Sequence, residues 1–292
     1  MVVFNDPTVF RPLCLGKLNG SYVLASETCA LDLVEAKFVR ELEPGEIVII
    51  SDEGVRSLFI ETPKRRTFCI FEFIYFARPD SHFFGRNVYL TRKAHGRQLA
   101  KESPAEADLV MPFPDSGSYA ALGYSEVSGI PFEMGMIRNH YVGRTFIQPT
   151  QHMRDFSVRV KLNPVRSLLE GKDIVIVEDS IIRGTTVKTR VKALREIGVK
   201  RIHLRVSGPP HRFPCHYGID FSSRGELIAA KMSVAALEKE LGLDSLRYLS
   251  LEGLLMSTGV ENPQDNFCKA CFDGCYPVDF DQDLSKYCMG RR

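Results

Sequence analysis

A chain of 292 residues, 44% hydrophobic and 25% charged, has room for one large or two ordinary domains and enough apolar surface to bury a core. Its formal net charge of +2 gives no electrostatic case for a nucleic-acid or membrane-surface partner. The opening MVVFNDPTVFRPL lacks a basic region followed by an apolar run, and no apolar stretch approaches the roughly 20 residues that span a bilayer, so a cytoplasmic protein is expected.

Residues 1–60 read as short strands separated by turns, with YVLAS and EIVII the clearest and EPG at 43–45 a turn. ETPKRRTF at 61–68 is polar and basic and carries a proline, which makes it the candidate linker between a first domain, 1–60, and a second, 61–292. Beyond it, strand and helix alternate. ADLVMPFP is an apolar strand, GSYAALGYSEVSG a helix closed by glycine, and PFEMGM a second strand. DIVIVED is apolar on both faces, as a strand inside a parallel sheet must be. The helix TVKTRVKALREIG follows, with Val187, Val191 and Leu194 on one face, and then the strand RIHLRVS. Such alternation predicts an α/β fold, a parallel sheet flanked by helices, with ligands held beyond the carboxyl ends of the strands. PFPDSGS and EDSIIRGTT both fall at that edge.

The stretch VIVEDSIIRGTT carries the chemistry. After Glu178 and Asp179 the chain must turn from strand to helix, and Gly184 supplies the freedom. Backbone N–H groups at the helix start, with the hydroxyls of Ser180, Thr185 and Thr186, make a phosphate cradle. The stretch is not a P-loop, because no Gly-Lys-Ser/Thr closes it. The two acids cannot hold phosphate, but they can hold ribose hydroxyls or a hydrated Mg2+ ion that in turn holds a diphosphate. The plainer alternative is an acidic strand end leading into an ordinary helix cap.

A hydrophobic strand, two acids, a hydroxyl, two aliphatics and Arg-Gly-Thr-Thr resemble the phosphoribosyl pyrophosphate motif of type I phosphoribosyltransferases. With IRNHYVGRTFIQP, PDSGSYAALGYSEVSGIPFEMG, ASETCALDLVEAKFVRELEPGEIVII and CIFEFIYFARPDS, the chain resembles the glutamine phosphoribosylpyrophosphate amidotransferases almost end to end. That resemblance implies an enzyme of purine biosynthesis, a glycosyltransferase forming 5-phosphoribosylamine and pyrophosphate from phosphoribosyl pyrophosphate. It implies a type I phosphoribosyltransferase fold over 61–292, preceded in 1–60 by a β-rich remnant of an N-terminal-nucleophile glutaminase domain. Asp115 and Ser116 would belong to the pyrophosphate loop, with Ser116, Glu178 and Asp179 as magnesium-linked groups and Ser180, Arg183, Gly184, Thr185 and Thr186 completing the substrate grip. Glu178 departs from the family's usual Asp-Asp and reaches about one bond further. Arg138, Tyr141 and Arg144 would reach from a closing loop with Lys161 at its far end; a mobile basic surface loop is the plainer alternative. Catalysis would rest on positioning and charge stabilisation, because ammonia is nucleophile enough and pyrophosphate leaves with magnesium help.

Cys268-x-x-Cys271 is weak evidence alone, because a metal or cluster site needs about four ligands. The resemblance supplies Cys69 and Cys215, and in one branch of the family these four positions hold a structural [4Fe–4S] cluster. Zinc in the same sulfurs, or four unrelated thiols, are the competing readings. Cys14, Cys29, Cys275 and Cys288 read as small hydrophobes or free thiols, Cys275 being a reserve ligand.

The family's glutaminase nucleophile is a cysteine exposed at residue one, whereas here Met1 precedes Val2, Val3 and Phe4, with no cysteine before Cys14. Glutamine hydrolysis by this sequence is therefore expected to fail, leaving free ammonia, a separate chain or an incomplete gene model as explanations. The family also implies a homo-oligomer, a tetramer, and purine nucleotides as inhibitors. The alternative class is a non-catalytic sensor of phosphoribosyl pyrophosphate or nucleotides, which could lose the acid pair that this chain keeps. A base-salvage transferase would share VIVEDSIIRGTT but not ASETCALDL or the four cysteines, and a redox protein lacks a second cofactor motif.

Overall fold

The structure, a computed structural model, describes residues 1–60, 66–139, 162–221 and 223–279. It contains two compact units, each assembled from separated parts of the chain. The first gathers Met1–Thr91, Arg212–Arg224 and Leu255–Arg292; the second gathers Arg92–His211 and Gly225–Leu254. This is a division by proximity, and the sequence boundary at 60/61 stands beside it as a proposal about domain inheritance. Tyr141, Arg144, Lys161 and Cys288 lie outside the described residues, as does most of the expected linker.

The second unit is built on four parallel strands in the order Leu109–Pro112, Asp173–Glu178, Arg201–Val206 and Ser245–Tyr248. Successive side chains of a strand point to opposite faces, and here both faces are covered. Ile174 and Ile176 join a core with Leu109, Met111, Phe113, Ile202 and Leu204, closed by the helices Thr185–Glu196 and Val234–Leu241. Val175 and Val177, on the opposite face, are equally buried, and the helix Ser118–Ser128 packs on the first two strands. A strand buried on both sides has no polar alternation, which is why DIVIV reads as one apolar run.

The helices Val88–Glu102 and Ser118–Ser128 touch backbone to backbone. A Cβ on Gly96 would overlap the carbonyl of Ala120, and one on Gly123 would overlap that of Lys93. Reciprocal glycines therefore set how near the second helix, and the loop that feeds it, comes to the first.

PFEMGM does not form the expected continuous strand. Phe132 makes one parallel bridge to Val110, and Met136–Arg138 pairs instead, antiparallel, with Leu162–Pro164. Pro131 has no N–H to give the ladder, so the segment pairs only through its carbonyl, which accepts from Val110, and through the N–H of Glu133. The strand Ser245–Tyr248 and the helices Val88–Glu102 and Val234–Leu241 carry elements not singled out from the sequence. The last had a legible start and stop, Ser233 accepting from the Ala236 N–H and Gly242 left-handed after its end.

The first unit is β-rich, with two three-stranded antiparallel sheets, Val2–Phe4/Glu46–Ser51/Gly54–Phe59 and Ser21–Ala25/Cys14–Leu18/Lys37–Glu41. The strand Gly54–Phe59 is exposed along its whole length, Leu58 and Phe59 included. Among the described residues no helix is long and apolar enough to cross a membrane.

Gly123→Ala is expected to destabilise the protein by about 2 kcal/mol, the range for overpacking a close contact. Urea unfolding should show a lower midpoint with an unchanged slope.

Candidate functional site

The parallel pairing of Pro112 with Val177 ends two neighbouring strands at the same level. The loops that leave them therefore emerge side by side. The first runs Phe113-Pro114-Asp115-Ser116-Gly117, includes a cis peptide between Pro114 and Asp115, and is pinned by the Phe113 N–H donating to the Val177 carbonyl at 3.0 Å. A Cβ on Gly117 would overlap that same carbonyl. The second loop, Asp179 to Gly184, enters the helix Thr185–Glu196 through Gly184, whose φ of 77° is left-handed.

The two loops meet at Asp179. Its carboxylate accepts from the Ser180 hydroxyl at 2.9 Å, and the nearby Ser116 hydroxyl and Arg92 favour its charged form. Burial still leaves Asp179 above the usual carboxylate range. Glu178 points to the other face, where Arg190 approaches its Oε1 at 3.4 Å. Its Oε2 is buried with no hydrogen-bond partner. Burial, with Asp179 alongside, pushes Glu178 well above its ordinary value against the opposing pull of Arg190. The structure thus places Ser116 and Ser180 beside Asp179, with Glu178 next in the chain but turned to the opposite face.

Of the remaining expected residues, Thr185 and Thr186 open the helix and are exposed. Asp115 and Arg138 form an exposed ion pair, and Arg183 pairs with Glu226. Arg190 was missed. It lies at helical spacing from Val187 and Leu194, on the buried stripe, and an arginine on such a stripe is a signal of a buried acidic or aromatic partner. Glu226 and Arg92, which face the same loops, gave no comparable signal.

Magnesium is commonly held by one or two carboxylates plus substrate phosphate oxygens and water. The acid pair, one carboxylate oxygen of it unpartnered, fits that demand. Among the described residues no group of three or more His, Cys, Asp or Glu side chains could hold a metal ion unaided.

The four expected cluster cysteines fall together in the first unit. The two-residue strands Phe68–Cys69 and Phe267–Cys268 pair in parallel, with Cys69 opposite Cys268. Cys271 sits on the helical turn Ala270–Asp273, and its carbonyl accepts from the N–H groups of Arg212 and Phe213. Cys215 is tied to Phe221 through its N–H, and its sulfur accepts from the Tyr217 N–H at 3.4 Å. Burial pushes the Cys69 thiol up to about 12 and Cys271 well above its usual value, and Cys271 feels the charges of Cys69, Cys268 and Cys215. Thiols are the donors that an iron–sulfur cluster takes, and Cys69 and Cys268 stand opposite each other on paired strands, but among the described residues no three of these side chains are grouped to hold a metal ion. Cys14 and Cys29 are buried small side chains, and Cys275 is exposed.

A parallel α/β sheet with an acid pair and a hydroxyl-rich loop at its carboxyl edge defines a phosphoribosyltransferase-type protein. The comparisons narrow this. No family model matches. The chain is 52% identical over 277 residues to the amidophosphoribosyltransferase of Synechocystis sp., covering 94% of this chain and 56% of that protein. It is 50% identical over 285 residues to the Bacillus subtilis amidophosphoribosyltransferase, covering 97% and 60%. Its structure matches the glutamine phosphoribosylpyrophosphate amidotransferase from B. subtilis complexed with ADP and GMP, with a TM-score of 0.91 and 49% identity over 98% of this chain and 63% of that one. The chain belongs, along nearly its whole length, to the amidophosphoribosyltransferase family, and it spans little more than half the length of the curated relatives it matches.

Gly184→Ala places a Cβ 2.8 Å from Ile228 Cδ1 on a left-handed backbone. A loss of about 1–2 kcal/mol is expected, read as a fall in melting temperature, with the loop's ligand grip weakened alongside.

Proposed function

We propose that the second unit binds phosphoribosyl pyrophosphate and transfers its phosphoribosyl group to ammonia, giving 5-phosphoribosylamine and pyrophosphate, as the family's name describes. The observation that carries this reading is the close approach of the two carboxyl-edge loops, Phe113 donating to the Val177 carbonyl and Gly117 lying against it, beside the buried acid pair. Around that junction each chemical part of the substrate finds a partner.

Thr185, Thr186 and the N–H groups that open the helix Thr185–Glu196 would take the 5-phosphate. The Pro114–Gly117 backbone, with Ser116 and Asp115, would line the diphosphate. Glu178 and Asp179 would accept from the ribose hydroxyls or bind the water shell of the ion. Magnesium, when bound, neutralises the diphosphate as it leaves. Positive charge develops at the anomeric carbon as the bond to diphosphate breaks, and the oxygens of the acid pair, aimed at the ribose, would stabilise it. Neutral ammonia then adds to that carbon, and the proton it sheds needs no dedicated base. The roles of Tyr141, Arg144 and Lys161 rest on the family resemblance.

The same reading covers the accessory groups. Cys69, Cys215, Cys268 and Cys271 would hold a [4Fe–4S] cluster that ties three separated segments of the first unit. Purine nucleotides would act as inhibitors, in keeping with the ADP and GMP named for the B. subtilis structure. A homotetramer is the assembly that the resemblance suggests.

With phosphoribosyl pyrophosphate, magnesium and ammonium at alkaline pH, pyrophosphate release is expected, and Asp179→Asn should reduce it by about 10²-fold or more with the fold intact. Near-normal release from that variant would remove the acid pair from the site; tight binding without turnover by the unaltered protein would favour a sensor. Cys268→Ser, purified without oxygen, should lose the brown absorbance and most of its iron; full iron retention would strike Cys268 from the ligand set.

A further inference from the structure

One charged group at the site has no part in the function proposed above. Arg190 lies one turn into the helix Thr185–Glu196, with its side chain mostly buried. Its guanidinium carbon stands 4.7 Å from the centroid of the Phe113 ring, and its Nη1 is 3.4 Å from Glu178 Oε1. Its Nε, like Glu178 Oε2, has no hydrogen-bond partner. Burying a guanidinium without full compensation is costly, and this one is spent on a single carboxylate.

The geometry explains what the cost obtains. A glutamate at the end of a strand has one more rotatable bond than an aspartate, so its carboxylate samples more positions. Phe113 fixes the guanidinium plane from one side through a cation–π contact. Glu178 comes from the strand Asp173–Glu178, Phe113 from the loop after Leu109–Pro112, and Arg190 from the helix, so three elements converge on one carboxylate. The nearby charged groups are Asp179, which repels Glu178, and Arg92, which acts on Asp179.

We propose that Arg190 positions Glu178 for the ligand, holding Oε1 toward the helix and thereby presenting Oε2 to the ribose hydroxyls or the hydrated magnesium ion of phosphoribosyl pyrophosphate. The inference rests on the phosphoribosyl pyrophosphate reading above. It makes Arg190 a positioning residue that acts only through Glu178, with Phe113 as its backstop.

Calorimetric titration of phosphoribosyl pyrophosphate, in saturating magnesium, into the full chain tests it. Arg190→Met should weaken binding about tenfold, within the coupling range of contacting charged residues, and Arg190→Lys should recover most of that loss. In a Glu178→Gln background, Arg190→Met should add nothing further, because the group it positions is already disabled. Equal losses from Arg190→Met in both backgrounds would overturn the proposal in favour of a packing role, with thermal melts reporting any shared loss of fold. Binding that Arg190→Met leaves unchanged while Asp179→Asn abolishes it would overturn this inference alone. No binding by the unaltered protein would overturn the phosphoribosyl pyrophosphate reading and this inference with it.

Discussion

A buried strand that ends in two adjacent carboxylates sets a problem that the rest of the second unit is arranged to solve. Each acid taken out of water costs several kcal/mol unless hydrogen bonds or opposite charge replace the lost hydration. Glu178 is 8% exposed and Asp179 4%. Alternation sends them to opposite faces of the sheet, so neither can be satisfied by the other's neighbours. Asp179 accepts from the Ser180 hydroxyl with Ser116 nearby, while Glu178 is given one long contact to a guanidinium. Glu178 is left short of compensation, one of its oxygens being buried without a hydrogen-bond partner.

Backbone geometry sets much of that arrangement. In-register parallel pairing sets the two loops level, and Gly117 lets the first lie against the Val177 carbonyl. The reciprocal glycines of the two helices hold the start of Ser118–Ser128 close behind it. On the far side, Arg205 donates to the carbonyls of Ser103, Pro104 and Leu204 and to the Ser245 hydroxyl, stitching the edge strand to the loop before the first strand. The first unit solves a different problem: its sheets are small, its strand Gly54–Phe59 is exposed, and the rings of Phe68, Phe73, Phe83, Phe84 and Phe267 cluster beside Cys69 and Cys268.

The acid pair, the hydroxyl loop and the strands that carry them were legible because they are contiguous. A run such as VIVEDSIIRGTT contains its own strand, turn and helix start. Arg190 was not legible as a partner of Glu178, because that contact depends on the helix's rotation and on Phe113, which lies far away in sequence. PFEMGM misled because its apolar content argued for a strand while Pro131 limited it to one bridge. The thiols show the limit most clearly: spacing alone offers Cys268 and Cys271, and the placement of Cys69 opposite Cys268 depends on a parallel pairing that no local pattern encodes. The discontinuity of both units was invisible for the same reason.

That discontinuity has a consequence for synthesis. The second unit is complete once Leu254 has emerged, whereas the first cannot pair Phe68–Cys69 with Phe267–Cys268 until the closing residues arrive. At about 5–20 residues per second, the wait between those partners is on the order of 10–40 s. Of these two segments, the one made earlier therefore waits for a partner made later, while all strands of the parallel sheet have already been made.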